Sequence, residues 1–185
     1  MSLLDEIATL CVKKVTSDPE QPAGKTLLTK LQEAAKTEEG GRPWQTLWPS
    51  TLARLGENIA LGGVTVIKAI PGVKLSGLSH PSSSSGSFDT EKLQFGICAS
   101  VVAYTSHSEG VLPEGLTDAS LARQLCQHII GMAPNAIEDE NDKENSLLYQ
   151  TFLLDEDLKV GQIVKTSGME IVDFVRSEVG RADAE

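Results

Sequence analysis

One segment of the sequence, Phe95 to Tyr104, limits the possible folds more than any other. It reads FGICASVVAY and is apolar at nearly every position, whereas a strand with one solvent-exposed face alternates apolar and polar residues. An uninterrupted apolar strand needs cover on both faces or a place in the middle of a sheet. The sequence therefore predicts a central strand here.

Two further strands are predicted before it. Val64 to Ile70 reads VTVIKAI, which is rich in β-branched residues and ends at the turn pair Pro71-Gly72. Val73 to Leu78 follows the turn and is the natural pairing partner. Three strands in sequence predict an antiparallel meander.

Helical spacing of apolar residues recurs along the chain. It predicts helices at Leu3–Val15, more weakly at Lys25–Lys36, at Pro49–Ile59 ending near Leu61 with Ser50 as N-cap, and at Asp118–Met132. The last helix carries Leu121, Leu125, His128, Ile129 and Met132 on one face, and Pro134 closes it.

The final third of the chain mixes both patterns. Tyr149–Leu154 has strand-like content, Val160–Val164 a short helical one, and Glu170–Val179 an ambiguous alternation that we interpret as a strand. The Ser-rich segment 80–87 and the acidic run 138–145 predict exposed loops, the first of them flexible. This order predicts an α+β fold with an N-terminal subdomain of residues 1–113 and a C-terminal subdomain of residues 114–185.

Composition excludes several classes of function. The chain of 185 residues has 26 Asp and Glu against 16 Lys and Arg, a net charge of −10, which argues against a nucleic-acid binder. No apolar run approaches the roughly 20 residues of a membrane span. The three cysteines are widely spaced without a CxxC pair, which is typical of free thiols in a reducing compartment and not of a disulfide scaffold or a zinc site. The N-terminus lacks a targeting pattern, as expected for a mature chain, a fragment or a cytosolic protein.

Apparent catalytic motifs do not withstand inspection. Gly24-Lys25-Thr26 has the end of a phosphate-binding loop, but Pro19 occupies the place of its first glycine. Lys143 stands where a calcium-binding loop needs an oxygen ligand, which argues against a calcium site in the acidic run. No arrangement of nucleophile and base and no paired carboxylates emerges, so we expect a binding protein without enzymatic activity, metal or cofactor. His128 lies on an apolar stripe and is either a hydrogen-bonded core residue or a partner contact, with the core favoured on the residues alone.

Three separated segments resemble one family. LARLGENIALGGVTVIKA at 52–69, LARQLCQHIIGMAPNAI at 121–137 and QTFLLDEDLKVGQIVKTSGMEIVDFVRSEVG at 150–180 occur in the order of the corresponding motifs of translation elongation factor Ts. The residues HIIGMAP and the short acidic insertion resemble the mitochondrial members of this family more than the bacterial ones. The resemblance implies a core of two subdomains, each a small antiparallel sheet packed with helices.

The resemblance also implies a function and candidate contacts. The family binds elongation factor Tu and promotes GDP release in the mitochondrial matrix, with no cofactor, nucleic acid or membrane. His128 aligns with the family histidine on a helix that packs against the partner, which reverses the preference for the core. Leu153 and Leu154 align with an apolar contact pair. Phe95 and Gly96 align with a hydrophobic–glycine pair at the start of a core strand, although an ungapped alignment selects Ile97 and Cys98.

Departures from the family pattern shape the expectation. Family members carry an N-terminal helical domain and a TDFV motif, whereas this sequence resembles the family from the helix that follows TDFV. Gly62 and Gly63 stand where the family often has basic residues. Binding could therefore persist while exchange is impaired. The alternative function is a structural or assembly component of a translation complex that does not exchange nucleotide.

Overall fold

A computed structural model describes residues 43–57, 65, 67, 69–81, 94–107, 110–112 and 115–180. The chain divides into two compact units, Met1–Lys68 with Gly180–Glu185 and Ala69–Val179. Helix α1 (Pro43–Leu55) belongs to the first unit. All other described elements belong to the second, and the mixture of helices with small antiparallel sheets confirms an α+β architecture.

The second unit is built on a three-stranded antiparallel sheet. Its strands are β1 (Lys74–His80), β2 (Cys98–Ser106) and β5 (Met169–Glu178), in the order β1-β2-β5. The prediction that the apolar segment forms the central strand is confirmed. Sheet residues come from both sides of residue 113, and the division into subdomains 1–113 and 114–185 stays a prediction.

The predicted meander is wrong in its first strand. The described positions within 64–70, which are 65, 67, 69 and 70, have no strand structure, and β5 takes the third place in the sheet. The turn explains why. Val73 N–H donates to the Ile70 carbonyl across Pro71-Gly72, and Gly72 has a φ of 87°. Proline fixes a negative φ at the first central position, so the turn is of type II, a geometry that splays the strands of a two-residue hairpin.

A β-bulge accounts for the ambiguous pattern of the last strand. Ala103 of β2 pairs with Asp173, but Tyr104 pairs with Ile171, which leaves Val172 as an extra residue. The bulge shifts the alternation by one residue. Ile171 and Phe174, three positions apart, consequently both reach the core, while Val172 is exposed. The predicted strand itself is confirmed.

Helix α2 (Asp118–Met132) covers one face of this sheet and has the predicted bounds. It begins with a capping box, in which the Thr117 side chain accepts from Ser120 N–H and the Ser120 side chain accepts from Thr117 N–H. It packs against β1 and β2. Ser100 Oγ in β2 donates to the Cys126 carbonyl over 2.8 Å, which ties the helix to the central strand.

The remaining elements lie between α2 and β5 in the sequence, and most of them contribute side chains to the same core. They are a 3₁₀ turn (Leu147–Tyr149), β3 (Thr151–Phe152), β4 (Asp155–Lys159) and helix α3 (Val160–Thr166). β3 and β4 form a two-stranded antiparallel sheet. The strand predicted over 149–154 is thus reduced to two residues, while the short helix is confirmed. The buried cluster is mostly aliphatic and comprises Val102, Tyr104, Leu121, Ala122, Leu125, Cys126, Ile129, Leu147, Phe152, Val160, Ile163, Val164, Met169, Ile171 and Phe174.

The predicted helix at Pro49 needs correction. Helix α1 starts at Pro43 and ends at Leu55, so Pro49 lies inside it and Ser50 is not its N-cap. Two prolines could each occupy a first turn, and the earlier one does. Gly56 N–H donates to the Leu52 carbonyl at the end of the helix, which stops short of the predicted residue 61.

Several expectations concern other parts of the chain. The helices at Leu3–Val15 and Lys25–Lys36, Cys11, the Gly-Lys-Thr segment, Gly62 and Gly63 lie outside the described residues, as do positions 82–87 of the Ser-rich segment. His80 belongs to β1 and not to a loop. Cys98 and Cys126 are free thiols. Among the described helices, none combines the length and apolarity needed to cross a membrane.

Gly110 and Gly168 allow the segment after β2 to pack closely against the turn before β5. Gly168 has a φ of 66°, and a Cβ there would lie 2.9 Å from the Cα of Gly110. His107 N–H donates to the Gly168 carbonyl and Val111 N–H to the Thr166 carbonyl. The two backbones therefore touch where only glycine leaves room.

We expect Gly110→Ala to destabilise the second unit by about 2–3 kcal/mol, because the added Cβ would overlap the Ser167 carbonyl group and both backbones would have to move. Urea unfolding measures the loss. The matched control is Gly115→Ala, where a Cβ meets open space and only the positive φ of 82° is strained, at a cost of about 1 kcal/mol. Equal effects of the two substitutions would contradict the close-approach explanation.

Candidate functional site: the leucine turn and the histidine beneath it

The candidate site is centred on the turn between β3 and β4. Leu153 and Leu154 form this turn, which we call the leucine turn, and their side chains are 43% and 47% exposed. Phe152 before it and Asp155 after it are cross-strand partners. Phe152 is buried and anchors the hairpin in the core. Two adjacent leucines are thus held at the surface by a buried neighbour.

His128 lies directly beneath this turn. It occupies the buried stripe of α2 and is 0% exposed. Leu153 N–H donates to His128 Nδ1 over 3.1 Å, and His128 Nε2 lies 3.0 Å from Gln150 Oε1. Because a backbone amide can only donate, Nδ1 must be the unprotonated nitrogen, and Nε2 carries the proton and donates to Gln150. The surroundings therefore select one neutral tautomer.

Gln150 is the second buried polar group of the site. It is 8% exposed, and its Nε2 donates to the Glu144 carbonyl over 3.1 Å. The backbone carbonyl of Gln150 accepts a hydrogen bond from Val160 N–H at the start of α3. The Gln150 side chain thus links the acidic loop to His128, while its backbone holds the first turn of α3.

The C-terminal end of α2 completes the site. A Cβ on Gly131 would lie 3.4 Å from Leu153 Cδ2, so the Leu153 side chain covers this glycine. Met132 beside it is exposed. Arg176 Nε of β5 donates to the Ile130 carbonyl over 3.2 Å, which satisfies one of the free carbonyls at the helix end. Met132, Leu153 and Leu154 are exposed apolar residues supported by a fixed helix terminus.

The other predicted pair lies before β2. The strand starts at Cys98, so Phe95 and Gly96 precede it, which corrects their expected place at the strand start. Phe95 is exposed, and its carbonyl accepts from Ser79 Oγ. A Cβ on Gly96 would lie 2.7 Å from the His80 backbone nitrogen, so this glycine serves the close packing of two backbones.

The structure brings three of the five predicted site residues together. Leu153 bonds His128 directly, and Leu154 follows in the same turn. The role of all five in partner binding stays a prediction. Sequence reasoning missed Gln150 and Arg176. Their signal is weak, since each is one of several polar residues in a segment that mixes polar and apolar positions, at Gln150-Thr-Phe and Phe-Val-Arg176-Ser.

The charge around the leucine turn is negative. Asp155, Glu156 and Asp157 follow it on β4 and are exposed. Lys159 at the end of the strand donates from Nζ to the Tyr149 carbonyl. In the part of the chain that the structure describes, no group of three or more His, Cys, Asp or Glu side chains could hold a metal ion.

Burial lowers the pKa of His128 below its ordinary value of 6.5, and the hydrogen bond to Gln150 offsets part of this effect. The imidazole is therefore neutral near pH 7. A proton on Nδ1 would face the Leu153 N–H, donor against donor, and break that bond.

This depressed pKa predicts a pH dependence of stability. The unfolded chain binds the His128 proton more readily than the folded chain, so the contribution is fully present above about pH 6.5 and is lost as the pH falls from there toward the folded value. Urea unfolding between about pH 7.5 and pH 5 should show a steeper decline in wild type than in His128→Asn. Parallel curves for the two proteins would contradict this assignment.

Comparisons with known proteins place the chain in a family. No family model matches it. It is similar to the mitochondrial elongation factor Ts of Bos taurus, with 35% identity over 72% of this chain and 40% of the relative. It is also similar to the proteins of that name in Nematostella vectensis, at 34% identity over 70% of this chain and 45% of the relative, and Caenorhabditis elegans, at 29% over 82% and 56%.

The chain spans about half the length of the curated relatives it matches. The matches come from insects, nematodes, a sea anemone and mammals, and they cover most of the present chain. The family expected from the three sequence segments is thereby confirmed. The chain belongs to the elongation factor Ts family, and the relatives it matches are mitochondrial members of that family.

Proposed function

We propose that this protein binds elongation factor Tu and promotes the release of GDP from it. The family supplies the partner, and the observation that carries the proposal on this chain is the exposed leucine turn held over buried His128. The protein works without bond chemistry, metal or cofactor. Because the named relatives are mitochondrial, we also propose the mitochondrial matrix as its location.

The physics of exchange is thermodynamic linkage. A protein that binds the nucleotide-free form of its partner more tightly than the GDP form must weaken GDP binding by the same factor. Each tenfold weakening of nucleotide affinity requires about 1.4 kcal/mol of differential binding energy. The contact surface on this chain has to supply that energy through side chains that are exposed before binding and buried afterwards.

The leucine turn suits this task. Binding hot spots are a few large side chains on a rigid support, surrounded by groups that exclude water. Leu153 and Leu154 are half-exposed, Met132 near the end of α2 is exposed as well, and the Leu153 N–H is bonded to His128. The acidic residues on β4 suit a partner surface whose apolar recess has a basic rim. We propose that Phe95, supported by Gly96, adds a further contact.

The direct test is release of a fluorescent GDP analogue from mitochondrial elongation factor Tu. We expect the release rate to rise with the concentration of the chain, and a stable complex to form in the absence of nucleotide. A complex without faster release would support the assembly-component alternative, and the lack of both would refute the proposal.

Substitution of the leucine turn tests the site. We expect Leu153→Ser and Leu154→Ser each to weaken the complex at least tenfold, which is about 1.4 kcal/mol, because truncation of a residue that dominates an interface costs more than about 1 kcal/mol. The unfolding free energy should change by only about 0.5 kcal/mol at such exposed positions. Titration of labelled elongation factor Tu measures the affinity.

Val111→Ser is the matched control, since Val111 is an exposed apolar residue outside the hairpin. It should bind like wild type. If the control weakened binding as much as the leucine variants, the effect would be loss of general hydrophobicity and the turn would not be the site.

A further inference from the structure

We propose that His128 and Gln150 are positioning residues, whose hydrogen-bond relay sets the place of the leucine turn, and that His128 acts on the partner only through the Leu153 backbone. This deepens the proposed function and rests on it for the effect on elongation factor Tu. It also assigns a role to Gln150, which the sequence patterns did not single out.

The three hydrogen bonds of the relay all donate in the same direction along it, from the Leu153 N–H toward the Glu144 carbonyl. Leu153 N–H donates to His128 Nδ1, His128 Nε2–H donates to Gln150 Oε1, and Gln150 Nε2 donates to the Glu144 carbonyl. Reversing the Gln150 amide would place its NH₂ group against Nε2–H and its oxygen against a carbonyl oxygen. The tautomer of His128 and the orientation of Gln150 therefore require each other.

The hairpin that carries the turn depends on outside support. β3 is two residues long, and its register with β4 shifts between Thr151 and Phe152. A lone two-stranded hairpin is marginally stable in water. The Leu153 amide bonds to α2, which fixes the turn relative to a rigid helix. The two leucines consequently keep one position instead of moving with the hairpin.

The burial of His128 and Gln150 distinguishes a positioning role from direct contact with the partner. His128 is 0% exposed and Gln150 is 8% exposed, whereas the two leucines of the turn are nearly half exposed. His128 also has both ring nitrogens engaged inside the chain. A partner that leaves this fold intact touches the leucines and not the imidazole, so the histidine contributes by fixing where they stand.

Two substitutions of His128 distinguish the halves of the relay. In His128→Asn, Oδ1 can take the place of Nδ1 and accept from Leu153 N–H. In His128→Gln, the longer amide reaches the Nε2 position and leaves that N–H without its acceptor. With the full chain, we expect His128→Gln to weaken elongation factor Tu binding about tenfold, the scale of one buried hydrogen bond, and His128→Asn to retain most of the affinity.

Gln150→Leu tests the other end of the relay. It should weaken binding less than His128→Gln, because the bond from Leu153 N–H to Nδ1 remains while the imidazole loses the acceptor that fixes its tautomer. The double variant should be no weaker than His128→Gln alone, because both changes act on the same relay. The matched control is Ser100→Ala, which removes a buried hydrogen bond to α2 at the Cys126 carbonyl, outside the relay. It should lower the melting temperature and leave affinity unchanged.

Nuclear magnetic resonance of the free chain provides a readout without the partner. The ¹⁵N spectrum of wild-type His128 should show an unprotonated Nδ1 and a protonated Nε2, and the Leu153 amide should move in His128→Gln but much less in His128→Asn. The opposite tautomer would overturn the relay. So would wild-type affinity in His128→Gln after the Leu153 amide has lost its bond.

Failure of the proposed function has a different signature. If wild type did not bind elongation factor Tu, the partner assignment would fall and with it the role of the relay in binding, while the spectra would still decide whether the relay holds the turn. If Ser100→Ala lost affinity in step with the relay variants, general destabilisation would explain the results and the positioning role would be refuted.

Discussion

The packing of helix α2 on strand β2 is the contact on which the second unit depends. The apolar central strand has to be covered, and α2 places Leu121, Leu125 and Ile129 in the buried cluster that includes Val102 of that strand. Each such side chain contributes roughly 1.5–3 kcal/mol when removed from water. The Ser100 hydroxyl adds a directional bond to the Cys126 carbonyl, which fixes the helix along the sheet as well as against it.

A polar side chain inside this apolar contact needs an explanation. An unpaired amide or hydroxyl buried in a core costs several kcal/mol on alkane scales and less in proteins. His128 avoids that cost because each of its ring nitrogens meets a partner of the right kind. Its ring also lies 5.9 Å from that of Phe152, centroid to centroid. The fold therefore accommodates the imidazole as part of the core while using it to hold the surface above.

Much of the second unit was predictable from residue spacing. The stripe at 118–132 gives the bounds of α2, and the unbroken apolar run identifies the central strand, because both signals come from burial of one continuous element. The partner of β2 was not predictable, since β5 lies 60 and more residues further along and its alternation is broken by the bulge at Val172. Pairing between distant strands leaves no local signature.

The candidate site was predictable in part. The family resemblance selects His128, Leu153 and Leu154, but it cannot show that the imidazole meets the backbone N–H of Leu153, since that bond depends on the path of a short hairpin. Gln150 escaped notice for the same reason: its partners are a carbonyl at Glu144 and a ring on another element. Side-chain identity indicates which residues matter, and only the fold shows through which atoms they act.

The bulge in β5 has a consequence for the behaviour of the protein in a crowded compartment. Among the described strands, β1 and β5 are the outer strands of the sheet ordered β1-β2-β5, and an outer strand is the place where another chain could add a strand. The bulge at Val172 disrupts the regular spacing on one edge, while Lys74 at the start of β1 and Pro81 directly after its end interrupt the other. Bulges, lysines and prolines at sheet edges are features that oppose β-pairing between chains and the aggregation that follows from it.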